Sequence, residues 1–65
     1  MKYKELKEIR DKAKEISKKG RTSITLIADE LGYTREEFNP IIDEMLIKGL
    51  AHLELINYRP TLIWD

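Results

Sequence analysis

The chain has 65 residues, no cysteine, and 12 basic side chains against 12 acidic ones. A chain this short supports one hydrophobic core, burying only about 60% of the surface its unfolded form exposes, and it reads as a single domain over residues 1–65. Without thiols it can form neither a disulfide nor a thiolate metal site, so packing has to supply its stability.

No apolar run approaches the length of a bilayer span, and the lysine-rich start is not followed by a signal-like apolar segment. The expectation is a soluble, cytoplasmic protein with no membrane partner. Zero net charge conceals a division along the chain. Residues 1–21 hold nine Lys or Arg against four Asp or Glu, a balance of +5, and the remainder carries −5.

From Tyr3 to Lys19 the apolar residues Tyr3, Leu6, Ile9, Ala13 and Ile16 recur every three or four positions, predicting an amphipathic helix. Lys18 and Lys19 suit the negative end of its dipole, and Gly20 can take the left-handed conformation that stops it. "RTSIT" follows, short and β-branched, and predicts a brief strand with Ile24 turned inward. Thr25 reads as the N-cap of a second helix, "LIADEL", ended by Gly32.

Thr34 and Glu37 form a capping-box signature for a third helix. Pro40 opposes a simple continuation, because it lacks the N–H that would bond the carbonyl of Glu36. Either one helix runs from Arg35 with a local distortion near Asn39, or a single turn is followed by a fresh start with Asn39 as cap and Pro40 at the first helical position. The continuous helix is the reading adopted, and both end at Gly49.

Beyond Gly49 the apolar period falls to two. In "LAHLELINY" Leu53, Leu55 and Asn57 share one face and His52, Glu54, Ile56 and Tyr58 the other, while "TLIWD" sets Leu62 and Trp64 opposite Ile63. The "NYRP" between them holds turn residues, and a C-terminal β-hairpin is expected.

The small Ala28 four residues before Gly32, the flanking Ile27, Leu31 and Tyr33, then Phe38 and Ile41, and finally "MLIKGLAHLEL" resemble the winged helix-turn-helix superfamily. The resemblance covers the chain from about Ile24 onward, and nearly all of it once the first helix is included. It implies an α+β fold of three helices, a short strand and a C-terminal wing, serving as a DNA-binding domain in transcription regulation or DNA architecture.

On that geometry Thr34, Arg35 and Asn39 of the third helix meet DNA, Tyr58 and Arg59 touch it from the wing, and Lys18, Lys19 and Arg21 reach the backbone. The partner implied is double-stranded DNA, with a homodimer raising an otherwise weak affinity. Glu36, Glu37 and Asp43 oppose a polyanion, although the two glutamates also suit the positive end of a helix dipole. They support the competing expectation, a protein–protein interaction module docking an oppositely charged protein. The lysines of the first helix read as a solvated face, with Glu8–Lys12 and Glu15–Lys19 as i,i+4 pairs. His52 has no second His or Cys to complete a metal site. No phosphate loop or catalytic pairing is present at workable spacing, so neither an enzyme nor a cofactor is expected.

Overall fold

The stripe of apolar residues near the N-terminus forms α1, Tyr3–Lys18, in a computed structural model describing residues 1–65. Leu6 and Ala13 are buried completely, and Ile9 and Ile16 pack against the same core. Tyr3 remains about half exposed, so the buried stripe begins at Leu6.

No strand forms at "RTSIT". The sheet has only two strands, both from the C-terminal hairpin, so the segment has no neighbour to pair with. β-Branched propensity without pairing does not hold a strand. Ser23 takes the extended backbone of an N-cap, and α2 spans Ile24–Glu30. Thr25 therefore sits inside the first turn and does not cap it, while Ile24 packs against the core from the helix itself.

α2 ends in a Schellman arrangement. Tyr33 N–H donates to the Ala28 carbonyl at 2.9 Å and Gly32 N–H to Asp29 at 3.1 Å, with Gly32 at φ +84°. The turn folds Ala28, 1% exposed, and Ile27 against the helix that follows.

α3 runs unbroken over Arg35–Ile47 with Pro40 inside it. Its start is fixed by a complete capping box: the Thr34 hydroxyl accepts from Glu37 N–H at 3.1 Å, and Thr34 N–H donates to the Glu37 carboxylate at 2.9 Å. Pro40 and Glu36 both lie on the exposed side, where water can reach the carbonyl that loses its donor. The opposite side buries Phe38, Ile41, Ile42 and Met45. Phe38 lies at the centre, stacked on Tyr33 at 5.9 Å and tilted against Trp64 at 6.5 Å.

Gly49, at φ +74°, ends α3 by the same device, and Leu50 N–H donates to the Met45 carbonyl at 2.9 Å. This sends Leu50 and Ala51 into the core and starts the antiparallel hairpin of β1, Ala51–Ile56, and β2, Arg59–Trp64. The register pairs Ala51 with Trp64, Leu53 with Leu62 and Ile56 with Arg59. The turn is therefore Asn57–Tyr58 alone, both at positive φ, and Arg59 and Pro60 already belong to β2. Pro60 pairs with Leu55 in a ribbon whose strands each have an open edge for its missing N–H to face.

The result is a small α+β domain of three helices and a two-stranded hairpin. No helix is long and apolar enough to cross a membrane.

Candidate nucleic-acid interface

The core pins only the root of the hairpin. Along β1, Ala51 is buried and His52 half-buried, while everything from Leu53 to Ile56 is exposed; along β2, Arg59 and Pro60 are exposed and burial begins at Thr61. The outer half of the ribbon thus projects past the helices. Between it and the flank of α3 lies an open groove lined by Arg35, Asn39, Ile42, Asp43 and Leu46 of α3, Leu53 and Leu62 of the hairpin, and Ile24 of α2.

Of the residues expected to meet DNA, Arg35 and Asn39 are brought together in this groove, one helical turn apart and both exposed. Thr34 lies next to Arg35, but its hydroxyl is committed to the helix cap. Tyr58 and Arg59 stand at the far end of the ribbon, both exposed.

The basic residues near the end of α1 are placed elsewhere. Lys18 lines a separate hollow with Lys14, Ser17, Ile63 and Trp64, and this shares only Leu62 with the Arg35–Asn39 groove. Lys19 is the C-cap of α1 and exposed. Arg21 is engaged within the chain, its guanidinium 2.6 Å from Glu30.

The acidic residues also separate. Glu37 is occupied in the capping box, and its pKa is lowered chiefly by the Thr34 backbone N–H and then by the Thr34 side chain. Its charge serves the helix start. Asp43 stays in the groove two turns beyond Arg35, leaving one cation and one anion there, neither in an ion pair within the chain.

The hairpin tip departs from local backbone preference. Asn57 at φ +53° and Tyr58 at φ +62° are both left-handed, as the mirror-image two-residue turn requires. Asn suits such a position; the second usually holds Gly, because a side chain crowds the backbone there. Tyr58 occupies it with a side chain that is 100% exposed and has no packing contact to lose.

Two features at the root of the hairpin escape sequence reasoning. Arg10, on the half-buried flank of α1, donates to the main-chain oxygen of Asp65 at 2.6 Å, tying α1 to the end of β2. His52 lies between two carboxylates, with Nε2 3.0 Å from Glu54 and Nδ1 2.7 Å from Asp65. Only the doubly protonated ring can donate to both, so its pKa is raised, first by the Glu54 contact and then by Asp65. The Asp65 contact depends on how the two strands pair, whereas His52 and Glu54 share one face of β1, an alternation visible in the sequence. Comparison with protein-family models, curated proteins and solved structures finds no match to this chain.

Proposed function

We propose that the chain is a small winged helix-turn-helix DNA-binding protein, a cytoplasmic transcriptional regulator or architectural factor, working by binding and not by catalysis. The order of three helices followed by a hairpin is compatible with that layout. On this reading α3 enters the major groove with Arg35 and Asn39 toward the bases, and the hairpin is the wing. Arg can bond guanine through two donors and Asn can pair with adenine, while the first-turn N–H groups of Arg35 and Glu36, which the Thr34–Glu37 capping box leaves unused, can face a phosphate.

The observation that supports this reading most is Tyr58. A residue that contributes nothing to the core, in a backbone conformation that disfavours it, has its whole ring free to meet a partner outside. At the tip of a wing, beside Arg59, that is sugar–phosphate. Lys18 and Lys19 can add backbone contacts only from the α1 side, and Arg21 only with the donors that its pair with Glu30 leaves free.

The test is a titration of duplex DNA at two salt concentrations with dilute protein. Binding should be appreciable at low salt and fall steeply as salt rises. Arg59→Ala should weaken it and reduce the salt slope by about one unit, Arg35→Ala should weaken it and relax the base preference, and Lys4→Ala should leave affinity and slope unchanged. No binding at low salt rejects the reading. One observation favours a second: Leu53, 58% exposed, and Leu55, 76% exposed, put apolar surface where a DNA reader wants cations. It supports a protein–protein interaction module of the same fold, which absence of DNA binding would leave as the reading to test by partner binding.

A further inference from the structure

We propose that the groove face of α3 pairs with the same face of a second copy of this chain, the two helices crossing antiparallel about a two-fold axis at Asn39. Arg35, Asn39 and Asp43 lie four residues apart in one row, and all three line the groove. Such a row is a ridge of the helix surface, and two ridges of this kind run parallel when helices cross at about −50°.

A two-fold axis through the middle of the row sets Arg35 against Asp43 of the second copy, and Asp43 against Arg35. Asn39 then faces Asn39, whose amide both donates and accepts. Parallel pairing would bring like charges together, so the row itself selects the antiparallel order. Neither Arg35 nor Asp43 has an ion-pair partner within its own chain. Arg35 also stands in the first turn of its helix, where the dipole favours an acid, so local preference does not account for it.

Leu46 and the half-exposed Leu53 beside the row supply apolar area for the contact. A standard interface takes about 800 Å² from each partner, about one-sixth of the 4762 Å² that this chain exposes. With zero net charge, two copies approach without long-range repulsion. The pairing stands independently of DNA binding, but it would cover Arg35 and Asn39. A protein that does both must give up one to do the other.

Sedimentation equilibrium on the whole chain without DNA, from about 10 µM to about 1 mM at low salt, tests this. The wild type should dimerise reversibly. Arg35→Asp and Asp43→Arg should each raise the dimer Kd at least about tenfold. The double variant, which restores opposite charges in reversed order, should return to within a few-fold of wild type. A wild type that stays monomeric throughout overturns the proposal, as do single variants that dimerise normally or a double variant no tighter than the singles. Circular dichroism on each variant separates lost pairing from lost fold, and an acid at position 35 favours the helix start.

Discussion

The helical body and the hairpin are held by different means. In the body, Leu6, Ala13, Ile27, Ala28, Phe38 and Met45 close on one another almost without solvent exposure. In the hairpin only Ala51 belongs to the buried core; Leu62 and Trp64 lean on it, and Leu53, Leu55, Ile56 and Tyr58 remain open to solvent. The period-two pattern looks the same at both ends of the ribbon, yet the helices are long enough to cover only one of them. Apolar residues that a fold leaves uncovered are free to serve another surface, which is why the candidate interface lies where the body ends.

The contrast is sharpest between Phe38 and Leu55. Phe38→Ala removes the ring that joins Tyr33 to Trp64, and the expected loss is about 3–5 kcal/mol, enough to unfold much of so small a domain. Leu55→Ser, at a side chain 76% exposed, should leave the unfolding free energy measured in urea unchanged within about 0.5 kcal/mol. A similar loss from both would mean that the outer hairpin is part of the core after all.

Arg10 adds a polar link between the two regions to the packing of Ala51, Leu62 and Trp64 on the core. Arg10→Ala removes its bond to the Asp65 main chain and packing at a side chain only 12% exposed. It should lower stability by about 1–2 kcal/mol, with faster amide exchange at Ala51 and Trp64 than in the middle of α3. Uniform loss of protection would show instead that hairpin and body open as one unit.

Tyr58→Gly should act in the opposite direction. Relieving a left-handed tyrosine ought to raise stability by about 0.5–1 kcal/mol, while DNA affinity falls. Affinity that survives the change would remove the tip from the interface.

The smallest effect expected is that of pH on His52. Its folded-state pKa is raised by the Glu54 contact and then by Asp65, so the stability it contributes is fully present below the ordinary histidine value of about 6.5 and is lost as pH rises through the raised one. His52→Gln should flatten stability across that window. An NMR titration placing the His52 pKa at or below about 6.5 would show that the two carboxylates do not hold the proton.

Much of the fold was legible in the residues because the signals were short-range. The stripe from Leu6 to Ile16, the Thr34–Glu37 box, and Gly32 and Gly49 each act within a turn or two, and of the two readings open at Pro40 the continuous helix is the one that forms. The strand at "RTSIT" failed because a strand needs a partner, and none is there. Thr25 was misplaced because Ser23 and Ile24 begin the helix earlier. At the candidate site, the exposed pair Arg35 and Asn39 was implied by the winged-helix resemblance, and both are exposed on α3. The Arg21–Glu30 ion pair and the leucines from the hairpin that share the groove were not legible, because each joins elements distant in sequence.

The most direct test of the groove as the working surface is an amide chemical-shift map of dilute, labelled protein titrated with duplex DNA at low salt. Shifts should concentrate on Thr34, Arg35, Asn39, Tyr58 and Arg59 and leave Lys4 and Lys7 of α1 unmoved. Shifts confined to α1, or none at all, would contradict it.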